Sequence, residues 1–250
     1  LDHSAILGDT VQKIAAEKCG IIKNFPTVVS ANQKSAVMSV IKKYTENYVV
    51  PDVSRLKVLK CDGSGTTYIY KEKEYSLSLC GEYQIENSLT AIETVSVSGF
   101  DIPYETVKKA LGATFFPARA EIISRNPLTV LDGAHNPDGA DALAEIMKKY
   151  GGRITAIIGV MRDKDYETVL KKTLPYCRAA VAVTVENMPR SLACEKLAAA
   201  ASKYCPCITA ENYGAAIEKS RSSAGDDPVF VFGSLYLASG IREKLKNFYN

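Results

Sequence analysis

Within these 250 residues no run approaches the ~20 apolar residues of a membrane span, and no signal peptide is visible. No dense Lys/Arg run accompanies the net charge of +3, so nothing calls for nucleic acid or an anionic membrane as a partner. There is no internal repeat, no low-complexity tract and no G-x-x-x-x-G-K-[ST] phosphate loop, so spacing alone does not make this a nucleotide enzyme. Histidine is nearly missing: only His3 and His135 occur. An initiator Met is missing too, and the opening at Leu1 reads as a hint of a fragment. Cysteine is present, but its seven copies are odd in number and scattered, which suits reduced thiols in a cytosol. Cys205-Pro206-Cys207 is the only close pair, and C-x-C without a second cluster matches no zinc pattern.

What remains is an ordinary globular composition, 46% hydrophobic and 24% charged, long enough for one large or two ordinary domains. Asp9 with Gln12 can cap a helix running to about Gly20, with Val11, Ile14, Ala15 and Ile21 apolar. Lys18 falls in that stripe, where a lysine must snorkel, pair or lose its charge. A strand over Pro26–Ala31 and a helix over Gln33–Tyr48 follow. Leu56–Leu59, Thr67–Tyr70 and Tyr75–Leu79 then read as antiparallel hairpins, and Gln84–Val97 and Pro103–Leu111 as helices, the second closed by Gly112.

Phe116 to Arg119 looks like a domain junction. After it the pattern turns into α/β, with strands near Glu121–Ser124, Thr129–Asp132, Ile154–Val160, Ala179–Thr184 and Val229–Phe232. The expectation is a mostly parallel, Rossmann-like sheet with helices on both faces. Cys207–Ala210 and Tyr213–Ser220 read as a short strand and a short helix.

The informative stretch is Pro127 to Asp141, PLTVLDGAHNPDGAD. Leu128–Leu131 is β-leaning, Asn136 is a good N-cap and Pro137 suits the first helical position, so a tight strand-to-helix turn is expected. That turn carries Asp132 and His135, which leaves two readings open: an ordinary loop hydrogen-bonded locally, or a ligand site beside anion-favouring N–H groups. Arg162-Asp163-Lys164-Asp165 and Gly233-Ser234 follow two further strands. In a parallel sheet the three turns would line one crevice.

LDHSAILGDTVQKIAAEKCGIIK (Leu1–Lys23), GEYQIENSLTA (Gly81–Ala91), FPARAEIISRNPLTVLDGAHNPDGA (Phe116–Ala140), GVMRDKDY (Gly159–Tyr166) and FGSLYLASGIRE (Phe232–Glu243) resemble, in order, the folylpolyglutamate synthases, often also dihydrofolate synthases, of the Mur ligase superfamily. The resemblance implies that residues 1–115 are the last part of a central P-loop ATPase domain whose loop lies upstream, and that 116–250 are the Rossmann-like C-terminal glutamate-ligase domain. It implies a cytoplasmic enzyme that joins L-glutamate to a folate (dihydropteroate, or tetrahydrofolate and its polyglutamates) through an acyl phosphate, with ATP and Mg2+. This chain alone would then be inactive.

By the same resemblance His3 corresponds to a magnesium ligand and Lys18 to a lysine that is carbamylated. Asn87 corresponds to an adenine contact, Arg119 to an arginine reaching the ATP phosphates and Asp132 to a ribose contact. His135 and Ser234 match residues near the phosphates and the incoming glutamate. For Asn87 a surface amide, and for Ser234 a helix N-cap, are the plainer readings. Arg162 departs from the pattern, which usually has a small residue there. Two alternatives stand beside this reading. One is a muramyl-nucleotide amino-acid ligase of the same superfamily. The other is a non-catalytic remnant or subunit that binds its missing N-terminal segment or self-associates.

Overall fold

The structure is a computed structural model that describes residues 8, 10–23, 27–62, 65–79 and 81–249. The chain divides into two compact units that part at Phe116.

In the first unit α1 (Val11–Cys19) is capped by Thr10, whose hydroxyl accepts the Lys13 N–H. Asp9, the expected cap, lies outside the described residues. The helix ends before Ile21, which is 84% exposed rather than part of an apolar stripe. A two-stranded parallel sheet pairs β1 (Val28–Val29) with β2 (Tyr48–Val49), connected through α2 (Ser35–Tyr44). The expected helix over Gln33–Tyr48 thus starts later and ends at Tyr44, where Thr45 turns extended, and Tyr48 belongs to β2.

Three antiparallel strands follow, β3 (Leu56–Asp62), β4 (Gly65–Tyr70) and β5 (Lys73–Leu77). The β4–β5 turn places Lys71 and Glu72 both at positive φ, 48° and 67°, the twist that a two-residue hairpin requires. α3 (Glu82–Val97) and α4 (Tyr104–Ala113) close this layer over a core of Tyr68, Tyr70, Tyr75, Leu77, Ile85 and Leu89. Gly112 lies inside α4, which runs on to Ala113, so it is not the terminating glycine.

The second unit holds β6 (Glu121–Arg125), β7 (Leu128–Leu131), α5 (Pro137–Met147), β8 (Ile154–Ile158), α6 (Tyr166–Thr173), β9 (Cys177–Val183), α7 (Cys194–Ala201), β10 (Cys207–Ala210), α8 (Tyr213–Ala224), β11 (Val229–Phe232) and α9 (Leu235–Tyr249). The strand order is β10-β9-β8-β11-β7-β6, parallel except for the β6–β7 pair. Alternate strand residues Leu131, Ile157, Val181 and Val231 pack with Leu237, Ala238 and Ile241 of α9 and Ala216 and Ile217 of α8. Residues of opposite parity, Val130, Ala156, Ile158 and Phe230, are buried as well. Tyr150, just past α5, meets Phe230 edge-on, so the opposite face is covered too. This is the Rossmann-like α/β sheet expected, with an antiparallel edge strand added.

Candidate functional site

β8, β11 and β7 are adjacent and parallel, so the turns after them share the carboxyl edge of the sheet, where open α/β sheets bind ligands. The turns are drawn close by glycines. Gly233 has φ 115°, and a Cβ there would lie 2.8 Å from the Gly159 carbonyl at the end of β8. A Cβ on Gly133 would lie 2.3 Å from the Leu235 side chain at the start of α9 and 3.4 Å from the Ala118 carbonyl.

Asp132 follows β7 directly, and its N–H donates to the Val231 carbonyl at 2.8 Å. The residue is only 6% exposed. One oxygen accepts the Ala120 N–H and the other the Ala134 N–H, each at 2.7 Å. Burial pushes this carboxyl above its ordinary value, and the two N–H donors, Arg119 and His135 oppose that shift. Asp132 therefore clamps the β7–α5 loop to the chain segment before β6, which is the locally hydrogen-bonded arrangement the sequence left open.

His135 holds Nδ1 2.8 Å from the Gly133 carbonyl. A carbonyl only accepts, so Nδ1 is the donor in this bond. Asn136 caps α5 by accepting the Gly139 N–H at 2.8 Å, with Pro137 at the first helical position, as its sequence signals. Ser234 is buried and accepts the Tyr236 N–H at 3.0 Å, so it takes the cap position at the start of α9.

Arg119 sits between Ala118 and Ala120, which have φ of 56° and 47°. Left-handed residues without glycine are uncommon, and two of them bracketing one arginine fix where that side chain leaves the backbone. Its guanidinium lies 5.7 Å over the Phe116 ring and makes no hydrogen bond or ion pair among the described residues. A cation with no hydrogen bond of its own, set in a turn tied to the β7–α5 loop, can hold an anion.

Arg119, Asp132, His135 and Ser234 are thus brought to one edge of the second unit. Asn87 and Lys18 belong to the first. Asn87 is exposed on α3 and donates to the Gln84 side chain at 3.1 Å, the surface-amide geometry. Lys18 is exposed in the last turn of α1 and lines an apolar groove of about 220 Å³ with Ala15, Cys19, Ile22, Val37 and Ile41. His3 lies outside the described residues. Among the described residues no group of three His, Cys, Asp or Glu could hold a metal ion, so these residues do not by themselves fit Mg2+.

Sequence reasoning passed over Glu121 and Arg242. Glu121 opens a strand that continues Ile122-Ile123, and an acid at the head of an apolar run was the available signal. It is 8% exposed and joined to Arg242 at 2.7 Å.

Residues 118–235 match the Mur ligase glutamate ligase domain. The relatives of the whole chain are folate enzymes. It is 31% identical to folylpolyglutamate synthase of Lacticaseibacillus casei and 30% identical to dihydrofolate synthase/folylpolyglutamate synthase of Bacillus subtilis, in each case over 98% of this chain and 60% of the relative. A crystal structure of Mycobacterium tuberculosis folylpolyglutamate synthase complexed with ADP and AMPPCP superposes with a TM-score of 0.84 at 28% identity, covering 98% of this chain and 61% of that one. The chain therefore spans about 60% of the length of the curated relatives it matches. No described helix is long and apolar enough to cross a membrane.

Proposed function

We propose that this chain supplies the glutamate-ligase domain, and part of the central ATPase domain, of an ATP-dependent ligase that adds L-glutamate to a folate. In this reading residues 1–115 belong to the ATPase domain and 116–250 to the ligase domain. ATP phosphorylates a folate carboxylate, and the amine of glutamate attacks the acyl phosphate and expels phosphate. Arg119 offsets charge on the phosphates, and the α5 start and His135 line the same anion site. Asp132 and Ser234 reach nucleotide and glutamate by the lone pairs and hydroxyl hydrogen their loop bonds leave over. Asn87 contacts the adenine. Lys18 is the lysine that adds CO2, and with His3 it completes the metal site only together with residues outside those described. The enzyme works in the cytoplasm.

The observation that supports the reading is the Arg119 turn, tied on both sides to the β7–α5 loop while its guanidinium makes no hydrogen bond or ion pair among the described residues. The test is ATP-dependent incorporation of glutamate into tetrahydrofolate, measured with Arg119→Ala against the parent. A loss on the order of 10²-fold in kcat/KM is expected, the scale of removing one charge-stabilising donor. Unchanged turnover would remove Arg119 from the reaction.

A second reading has its own support, since the 250 residues contain no phosphate loop. In it this chain binds nucleotide or glutamate without turnover. ADP release by the 250-residue chain with tetrahydrofolate and glutamate separates the possibilities. Our expectation is none from this chain alone, and turnover once a phosphate-loop segment is supplied. Absence of turnover in both would favour the binding role.

A further inference from the structure

We propose that Glu121 and Arg242 are positioning residues that set the direction of Arg119. The inference deepens the reading above and rests on Arg119 acting at the anion site.

The turn from Pro117 to Ala120 has three outside anchors. Ala120 N–H donates to Asp132 and Gly133 N–H donates to the Ala118 carbonyl, both to or from the β7–α5 loop. The third anchor is different in kind. Ala118 N–H donates to Oε2 of Glu121 at 3.0 Å, and that carboxylate is gripped by Arg242 from α9. Nε of Arg242 lies 2.9 Å from Oε1 and 3.0 Å from Oε2, and a terminal nitrogen lies 2.7 Å from Oε1. A forked arginine holds a carboxylate in one plane, which a lysine cannot do. Glu121 is buried, so without that fork its carboxylate is poorly held and turns away. That weakens the bond to Ala118.

What makes this a matter of function is the backbone on either side of Arg119. Ala118 and Ala120 both occupy the left-handed region, a conformation that persists only while its surroundings enforce it. Releasing Ala118 lets the turn relax, and the Arg119 side chain loses its fixed direction. α9 is suited to the task because its first residues follow Gly233-Ser234 of the same edge, while Leu237, Ala238 and Ile241 pack in the core that includes Ala118. One helix thus spans the site and the grip.

Two measurements test this. The first is amide hydrogen exchange on the 250-residue chain. Arg242→Lys, which keeps the charge and loses the fork, is expected to speed exchange at Ala118 at least tenfold while Ala134 and Val231 keep their protection. Unchanged exchange at Ala118 overturns the grip without reference to activity. The second is a double-mutant cycle in whichever form of the protein turns over ATP, this chain alone or joined to a phosphate-loop segment. Arg242→Lys is expected to raise KM for ATP at least fivefold with KM for folate unchanged, and to add no further loss in the Arg119→Ala background. Losses that multiply in the double variant, or that fall equally on both substrates, mean a purely structural pair and overturn the proposal. If Arg119→Ala itself costs nothing, the reading of Arg119 fails, while the exchange result still decides whether the grip exists.

Discussion

Asp132 and Ser234 show how little room the site leaves its side chains. Each was legible as a polar residue at a strand end, and each is spent first on the backbone: Asp132 on Ala120 and Ala134, Ser234 on Tyr236. Asp132→Asn keeps the shape but turns one acceptor into a donor facing an N–H. It should lose about 1–3 kcal/mol, the cost of a buried donor left unsatisfied, read from the urea unfolding midpoint. Gly233→Ala meets both a positive φ and a backbone carbonyl at 2.8 Å, neither of which can move aside cheaply. Its expected cost is about 1–3 kcal/mol, checked by the same unfolding measurement. At this scale the sequence was readable where one residue does one local job, as Asn136 and Pro137 do at the start of α5. Glu121 and Arg242 stayed hidden because their meaning is a contact between residues 121 positions apart, which no spacing rule describes.

The hairpin layer under α3 is where an element depends on one buried charge. Glu93 of α3 accepts the Tyr70 hydroxyl at 2.5 Å and the Lys71 ammonium at 2.5 Å, so the helix is tied to the end of β4 and to its left-handed turn. Burial alone would raise the Glu93 carboxyl. The bonds from Lys71 and Tyr70 and the charge of Lys71 outweigh it and leave the group below its ordinary value. A lowered carboxyl contributes stability that is fully present above the ordinary carboxylate range and is lost as pH falls through the lowered value. Acid titration of this layer's unfolding should therefore show stability falling below about pH 4. Glu93→Gln should flatten that dependence at the cost of about 1–3 kcal/mol near neutral pH. Elements of this kind were legible in part: the three strands and α3 follow their alternation and periodicity. The short β2 did not, because two residues are too few to carry a period and only pairing with β1 defines them. α8 was likewise read short, since Arg221 to Ala224 add polar residues to a stretch whose helicity comes from packing.

Over the whole chain the break at Phe116 lies in an irregular connection with Phe115 59% and Phe116 54% exposed. Brief chymotrypsin digestion should cut there first, and the 116–250 product should unfold cooperatively by itself, because that unit has its own core. A product that melts without a transition would show the unit to be incomplete. The sheet order has one more consequence. β11 lies between β7 and β8, yet it is made after β8, β9 and β10. Roughly 100 residues separate Leu131 from Val229, so at ~5–20 residues per second a nascent chain waits roughly 5–20 s with an empty slot beside β7. During that wait the edges of β7 and β8 have no partner between them, Glu121 lacks Arg242, and the Arg119 turn has two of its three anchors. The ribosome must finish the last helix before the first turn of this unit gains the third. A stalled or shortened product would present bare strand edges to the chaperones and to its own copies.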